Sequence, residues 1–289
     1  MALFRGKRGV LPWALLAPGL LWLLVFFAIP LYYMAEVSLQ EGSIDTGYRF
    51  TWHFQTYPDA LSDFGEQFVR SFVYGGAATL LALVIAYPLA YAIAFHGGRW
   101  RNAMLLAVIA PFFVTYLIRT LSWQTILDDA SPTVDALKAV GVIADDGRVL
   151  ATSGSVIMGI TYNFLPFMIL PLYASLERID GRMLEAAYDL YATRREVLRR
   201  VVIPLSAPGI VAGTLLTFIP SVGDFINAEL LGTPRQAMIG NVIQSRFLEV
   251  TDYPTAAALS FILMAIILVL VGVWARVAGT EALMGAEAR

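Results

Sequence analysis

The sequence contains six long apolar stretches, each close to the length of a membrane-spanning helix. A helix rises about 1.5 Å per residue and the hydrocarbon layer of a bilayer is about 30 Å thick, so about 20 apolar residues cross it. The stretches cover approximately residues 10–34, 68–95, 103–123, 155–176, 208–226 and 256–277. The sequence therefore predicts an all-α membrane protein with six transmembrane helices.

Composition limits the classes of protein to which the chain can belong. Hydrophobic residues make up 58% of its 289 positions and charged residues only 15%, which argues against a water-soluble domain. Cysteine is absent and His53 and His96 lie far apart, so neither a disulfide framework nor a zinc-hydrolase site is expected. No lysine stands in a phosphate-binding Gly-Lys-Ser/Thr sequence. We therefore expect no enzyme and no cofactor on this chain, and any ATP on another one.

The charges between the stretches predict the orientation, because arginine and lysine are retained on the cytoplasmic side during insertion. With the amino terminus inside, the cytoplasmic segments hold 13 basic and 7 acidic residues, and the outer segments hold 7 basic and 15 acidic residues. Both termini are therefore predicted to be cytoplasmic. Residues 1–9 are then an inner amino terminus, residues 10–277 a single transmembrane domain, and residues 278–289 an inner tail.

The longest charged segment on the predicted inner side is the loop 177–207. Asp180 predicts the cap of a first short helix. Thr193 and Glu196 form a capping box that begins a second helix, and Pro204 is expected to end it. One face of the first helix is predicted from residues spaced i, i+3, i+4, i+7, namely Leu184, Ala187, Tyr188 and Tyr191. The loop is thus predicted to be a helical hairpin on the inner membrane surface.

The sequence of this hairpin resembles the Glu-Ala-Ala loop of ABC importer permeases. The matching runs are Glu185-Ala186-Ala187, Arg200-Val-Val-Ile-Pro204-Leu and Pro208-Gly209-Ile210. The resemblance implies that the hairpin docks into a groove on a cytoplasmic ATPase and transmits nucleotide-driven closure to the spans. The residues it assigns to this coupling are Glu185, Ala186, Ala187, Asp189, Tyr191, Arg200 and Pro204. An amphipathic hairpin resting on anionic lipid would account for the arginines of the loop but not for the Glu-Ala-Ala face.

One position departs from the pattern of the family. The family usually has glycine four residues after the second alanine, as a flexible point between the helices, and this chain has Tyr191. A tyrosine does not adopt a positive φ cheaply. We therefore expect the turn to differ or to fall at Ala192 and Thr193. Tyr191 either packs on the face of the first helix, which we favour, or tolerates a strained turn.

Outside the hairpin the chain is similar to the first of the two permease subunits of spermidine/putrescine importers. The similarity covers most of the chain and is carried by the runs Leu117 to Trp123, Tyr162 to Tyr173, Phe218 to Gly232 and Met238 to Ile243. Relatives with this pattern also import other small solutes, including putrescine alone, opines and thiamine. The resemblance thus implies half of a translocation path for a small cationic solute, with a polyamine as the first choice.

The same resemblance implies an assembly in the bacterial cytoplasmic (inner) membrane, which the chain crosses several times. The implied partners are a paralogous second permease subunit, two copies of a cytoplasmic ATPase that hold ATP and magnesium, and a periplasmic or extracellular solute-binding protein. Membrane lipid surrounds the spans, and no nucleic acid is expected.

A path for a polyamine needs carboxylates and aromatic faces, which replace the water around each ammonium group. The residues that suit this role are Tyr162, Asn163, Asp224, Phe225 and Glu229. An equally open alternative is that Asp224 and Glu229 only mark the water interface, and that Tyr162 and Asn163 are buried polar residues satisfied by neighbouring helices.

Arg119 falls late in the third stretch and is not expected in the path, because a like charge would repel the solute. Its guanidinium is expected to reach outward to water or to pair with a carboxylate. A secondary transporter is the main rival function. Such a carrier more often has two repeated halves, but the sequence contains no visible internal repeat, and the Glu-Ala-Ala hairpin would have no role in it.

Overall fold

The computed structural model describes residues 11–278, which form helices and one short two-stranded sheet. Four helices are long and apolar enough to cross a membrane, and two bent helix pairs raise the number to six if each pair is one span. The predicted all-α membrane class is confirmed, whereas the count of six depends on the two bent pairs. The predicted inner segment 1–9, and all but the first residue of the predicted tail 278–289, lie outside the described residues.

The elements follow one another in a simple order along the chain. The helices are α1 Leu11–Leu23, α2 Ile29–Ser38, α3 Thr56–His96, α4 Arg101–Ile109, α5 Tyr116–Leu127, α6 Pro132–Ala139, α7 Ser153–Glu177, α8 Gly181–Asp189, α9 Arg194–Val197, α10 Ile203–Leu205, α11 Ala207–Val222, α12 Ile226–Leu231, α13 Ile239–Leu248 and α14 Tyr253–Ala278. The strands are β1 Gln40–Ser43 and β2 Gly47–Phe50. Wide π-helical turns occupy Leu24–Ala28 and Leu198–Val202, and tight 3₁₀ turns occupy Gly98–Trp100, Ala110–Phe113 and Pro234–Gln236.

The described chain divides into two compact units, and residues 11–63 with 243–263 form the first. Within it, α1, the first π-helical turn and α2 follow without a break, and their apolar side chains are almost all exposed. The two strands pair antiparallel, with Gln40 opposite Phe50 and Ser43 opposite Gly47. The exposed apolar helix is the surface expected of a span that faces lipid or another subunit.

The second unit comprises residues 64–242 and 264–278, and small residues of α3 form one side of its core. An alanine stands at every fourth position along one face of this helix, at Ala78, Ala82, Ala86, Ala90 and Ala94. Residues four apart lie above one another on a helix, and the first four of these alanines are fully buried. From Ala82 onward the stripe packs in one cluster with Met168, Ile169 and Leu172 of α7.

The most extensive contact between two helices joins α7 and α11, and glycine makes it possible. A Cβ atom added at Gly209 would lie 2.7 Å from the carbonyl oxygen of Pro171, and one added at Gly213 would lie 3.1 Å from that of Met168. These distances leave no room for a side chain. The Gly-x-x-x-Gly spacing on α11 therefore brings the two backbones together as small-residue motifs do in membranes.

The third apolar stretch, predicted as one span over residues 103–123, is not one continuous helix. The helical segments Gly98–Phe113 and Tyr116–Leu127 are bent by 94°. Between them Val114 and Thr115 are extended, with ψ of 137° and 148°. Extended residues interrupt the ladder of hydrogen bonds to the fourth preceding carbonyl. Hydropathy alone does not report this break.

The fifth stretch is also shorter than predicted, because α11 ends at Val222 rather than near residue 226. Gly223, Asp224 and Phe225 form a break, after which α12 begins. The predicted path residues Asp224 and Phe225 therefore lie between two helices and not on the outer turn of a span.

Candidate functional site

The helix α8, which carries the Glu-Ala-Ala sequence, begins at Asp180 as predicted. The Asp180 carboxylate accepts a hydrogen bond from the amide of Arg182 at 3.0 Å, and the guanidinium of Arg182 donates to it at 2.6 Å. Hydrogen bonds from the Arg182 side chain and amide hold the pKa of Asp180 below its usual range. The cap is therefore ionised at neutral pH, next to the positive end of the helix.

The two faces of α8 have different surroundings. Leu184 and Ala187 pack against the core cluster of the second unit. Glu185, Ala186 and Asp189 are exposed. The Glu-Ala-Ala triplet is therefore split, with its last alanine anchored inward and its glutamate and first alanine on the free surface.

Tyr191 forms the turn that ends α8, with a φ of 59°. Its amide donates to the carbonyl of Tyr188 at 2.9 Å. The next amide, of Ala192, donates to the carbonyl of Ala187 at 3.2 Å. This pair of bonds defines a Schellman motif, in which the residue at the position of Tyr191 is left-handed and usually glycine.

The expectations of a displaced turn and of a packed side chain are wrong, whereas the alternative of a strained turn at Tyr191 agrees with the structure. The turn does not avoid this residue, and the side chain is 96% exposed instead of packed on the first helix. The backbone bonds fix the left-handed conformation at the position where the family has glycine, and Tyr191 lies beyond the last residue of α8, so the helical spacing that placed it on the packed face no longer applies.

The second arm of the hairpin begins at the predicted capping box. The amide of Thr193 donates to the Glu196 carboxylate at 2.9 Å, and the amide of Glu196 donates back to the Thr193 hydroxyl at 3.4 Å. The predicted end of this arm at Pro204 is one residue too early, because its last helical residue is Leu205. The π-helical turn before it has a wider ring of hydrogen bonds, which accommodates a proline that cannot donate. Arg200 and Pro204 are exposed.

Asp224 lies at the centre of a buried polar network between α5, α7 and α12. Its side chain is 6% exposed. The carboxylate accepts hydrogen bonds from the hydroxyl of Tyr116, and from the amide and side chain of Asn227 at 2.9 and 2.7 Å. Both oxygens are thus used within the chain, and the bond from the Asn227 amide satisfies one of the free donors in the first turn of α12.

Asn227 connects Asp224 to α7. Its side-chain oxygen accepts a hydrogen bond from Asn163 at 3.2 Å, and Asn163 also donates to the Thr120 hydroxyl at 3.1 Å. Gly159 makes room for this contact, because an added Cβ would lie 2.5 Å from the Asn227 oxygen. Sequence reasoning singled out Asp224 and Asn163 but missed Asn227, although an aspartate three residues before it is the spacing of a helix cap.

The structure does not bring all five predicted path residues together. Asn163 and Asp224 are joined through Asn227. Tyr162 is half-buried and meets the Trp123 ring edge-on at 5.2 Å, Phe225 is half-buried, and Glu229 is exposed on α12. The buried position of Asp224 does not agree with the water-interface alternative. Asn163 is buried as its alternative states, but its side-chain oxygen has no hydrogen-bond partner among the described residues.

Arg119 is buried rather than turned outward to water, and no carboxylate of residues 11–278 pairs with it. Its side chain is 8% exposed, and the ion pairs among residues 11–278 do not include it. The guanidinium carbon lies 4.8 Å from the ring centre of Phe112 and 5.6 Å from that of Tyr116. The broken helix turns Arg119 into the protein, where aromatic faces meet its charge.

Comparison with known proteins assigns the chain to a family. The sequence model of the family described as "Binding-protein-dependent transport system inner membrane component" matches residues 10–278. The chain belongs to this family. As a transport component of the inner membrane it agrees with the predicted localisation, and the secondary-transporter alternative is set aside.

Relatives of this family member have a narrower name. The spermidine/putrescine transport system permease protein PotB of Haemophilus influenzae is 35% identical over 256 residues, which cover 88% of this chain and 90% of that one. The protein of the same name from Escherichia coli K12 is 34% identical over 243 residues, covering 84% and 88%. The resemblance drawn from the sequence is thereby confirmed.

Solved structures show the same fold. A bacterial ABC transporter involved in the import of the acidic polysaccharide alginate contains a chain that matches with a TM-score of 0.67 at 20% identity. The match covers 94% of this chain and 96% of that one. Since the identity is low, this likeness concerns the arrangement of the helices alone.

Replacing Tyr191 by glycine should stabilise the hairpin. A left-handed conformation costs a residue with a Cβ about 1–2 kcal/mol, and the exposed ring loses little packing, whereas the entropy of glycine takes back about 0.5–1 kcal/mol. Leu190→Gly is the matched control, because Leu190 is also exposed but has a φ of −84°. Amide hydrogen exchange of α8 should slow for Tyr191→Gly and quicken for Leu190→Gly. Faster exchange in the first variant would contradict the turn described here.

Asp224→Asn should lower the free energy of unfolding of the permease by about 1–3 kcal/mol, because an amide nitrogen replaces one of the two acceptor oxygens of the carboxylate. Glu229→Gln changes an exposed carboxylate on the same short helix and should leave the melting temperature unchanged. Melting in detergent measures both. A parental melting temperature for Asp224→Asn, together with reduced solute uptake, would instead make Asp224 part of the path.

Proposed function

We propose that this chain is the permease subunit of an ATP-driven polyamine importer and forms half of its translocation path. Two similarities support the proposal. The relatives from two bacteria are named spermidine/putrescine permeases, and the similarity covers most of their length. The chain also contains the Glu-Ala-Ala hairpin at residues 177–207. Importers of the same class for another small solute, such as an opine or thiamine, are the alternative.

The observation that carries the coupling role is the geometry of α8. Its inner face is held by Leu184 and Ala187 in the core cluster, while Glu185 and Ala186 remain exposed. The exposed carboxylate of Glu185 can accept a charged hydrogen bond, and the small side chain of Ala186 allows the backbone of a partner to come close. Glu185 is thus our choice for the residue that meets the ATPase, and Asp189, Arg200 and Pro204 lie exposed nearby in sequence.

The solute is the next part of the proposal. A polyamine needs negative charge along its route, but both Asp224 oxygens are already engaged by Tyr116 and Asn227. Glu229, which is exposed, together with carboxylates of other subunits, is then the source of that charge. Phe225 and Tyr162 supply aromatic faces.

The assembly follows from the importer class. The solved alginate transporter is described as a complex with a periplasmic protein that holds an alginate pentasaccharide. For this chain we propose a solute-binding protein outside, a paralogous second permease beside it, and two ATPase subunits inside. ATP and magnesium are held by the ATPase subunits, and no cofactor is assigned to this chain.

The orientation with both termini inside is tested by cysteine labelling, since the chain has no cysteine of its own. Asp189 and Asp145 are both exposed, so a cysteine at either position is accessible. A reagent that does not cross the membrane should label position 145 from outside and position 189 only after the membrane is opened. Labelling of both positions from one side would refute the orientation and with it the inner location of the hairpin.

Charge reversal at Glu185 tests the coupling role in the complete importer. Glu185→Lys should insert and fold normally, because the side chain is exposed, yet it should lose spermidine uptake and the stimulation of ATP hydrolysis by the loaded binding protein. Asp146→Lys reverses another exposed carboxylate, on the opposite side in the proposed topology, and should retain both activities.

The two parts of the proposal fail separately. Uptake and stimulation at the parental level in Glu185→Lys would rule out the docking role. Should the parental importer hydrolyse ATP in response to its binding protein with another solute but never with a polyamine, the coupling role would stand and the polyamine assignment would fall.

A further inference from the structure

A cavity of about 370 Å³ in the second unit has an unusual lining. Apolar side chains of α3, α4 and α7 supply most of its wall, including Ile93, Met104 and Ile169. Tyr162 adds one aromatic ring, and Arg119 is the only charged residue among those that line it. The cavity is thus a largely apolar space with a single cation in its wall.

The charge of Arg119 is not satisfied within the described chain. Its Nε atom is buried and has no hydrogen-bond partner, and the ion pairs of residues 11–278 do not include it. The rings of Phe112 and Tyr116 offset only part of the loss of water around a guanidinium. A buried cation in this position therefore requires an anion that residues 11–278 do not supply.

Arg119 lies deep within this cavity, because the neighbouring Thr120 accepts a hydrogen bond from Asn163, the residue after Tyr162 on α7. Tyr162, which lines the same cavity, stands nine residues after the start of α7 and 15 before its end. At about 1.5 Å per residue it lies about 14 Å and about 22 Å from the two helix ends. Lipid phosphates lie at the level of the helix ends, because the hydrocarbon layer is about 30 Å thick. A carboxylate carried by another spanning helix reaches this depth, and a lipid headgroup does not.

The cavity that holds Arg119 is open at its rim. Leu89 of α3 and Met104 of α4, which line it, are 37% and 39% exposed. These side chains leave an apolar opening that another spanning helix can cover. A cationic solute cannot occupy the space for long, since Arg119 repels it.

We infer that Arg119 binds a carboxylate of the second permease subunit, so that an ion pair inside the membrane joins the two permeases. The inference rests on the two-permease assembly of the proposed function. In this arrangement the aromatic rings hold the guanidinium ready on one chain, and the partner supplies an acidic side chain from a spanning helix.

The test uses the complete importer and measures how much second permease is recovered with a tagged copy of this chain. Arg119→Gln should reduce recovery roughly tenfold, because removing one member of a buried pair leaves the other charge uncompensated. Arg119→Lys keeps the charge and should lose much less. Arg101→Gln is the matched control, because Arg101 pairs with Glu177 of its own chain at 2.6 Å. This substitution should leave the recovery of the second permease unchanged.

A scan then identifies the partner residue. Each Asp and Glu in the spanning segments of the second permease is neutralised in the Arg119→Gln background, and one of these changes should restore recovery. The same test with Arg119→Met covers the case in which glutamine itself disturbs folding, because an apolar pair tolerates burial as well as an ion pair does.

Three outcomes would overturn the inference. Parental recovery and melting temperature for Arg119→Gln would show that the charge has no partner in the assembly. Loss of recovery that no acidic position restores, in either background, would exclude a carboxylate of the second permease. Binding of an anionic lipid that depends on Arg119, seen by native mass spectrometry, would assign the anion to lipid. If the parental chain recovers no second permease at all, the proposed two-permease assembly fails instead of the ion pair. Neither result bears on the polyamine assignment, because recovery of the second permease does not depend on the solute.

Discussion

The close approach of α3 and α11 to α7 is the contact on which the second unit depends. Alanines on α3 and the glycines Gly209 and Gly213 on α11 remove the side chains that would hold the helices apart. In a membrane the hydrophobic effect gives no reason for one apolar helix to prefer another over lipid, so packing at short range has to do so. The polar residues of α5, α7 and α12 are positioned by this framework, as the space that Gly159 leaves for Asn227 illustrates.

The hairpin is built into the same framework. Leu184 and Ala187 of α8, and Val197 and Val202 of the second arm, belong to or pack against the cluster that contains the α3 alanines and Met168. A force on the exposed face of α8 is therefore transmitted to side chains that contact two spanning helices directly. In the proposed importer this continuity of packing would carry a movement of the ATPase into the membrane without a flexible joint between them.

The sequence predicts best what local chemistry decides. Asp180 and the Thr193–Glu196 capping box were found because a cap depends on residues two or three positions apart. Tyr191 was mispredicted because the left-handed turn is fixed by backbone bonds of the preceding helix, and these overrule the preference of the side chain. The break at Val114 and Thr115 and the central position of Asn227 depend on contacts between distant segments, which hydropathy and spacing do not report.

Arg119 and Asp224 show how a single subunit divides its buried charges. Tyr116 lies between them, because its hydroxyl donates to the Asp224 carboxylate and its ring faces the guanidinium of Arg119. The carboxylate oxygens of Asp224 accept three hydrogen bonds from its own chain, so they are satisfied before assembly. Among residues 11–278, the guanidinium of Arg119 meets only aromatic faces, and a cation left uncompensated beside an apolar cavity costs free energy in the isolated subunit. In the proposed ion pair the chain gains stability from its correct partner, and a partner without an acidic residue at the matching depth is rejected by the cost of leaving the cation unpaired.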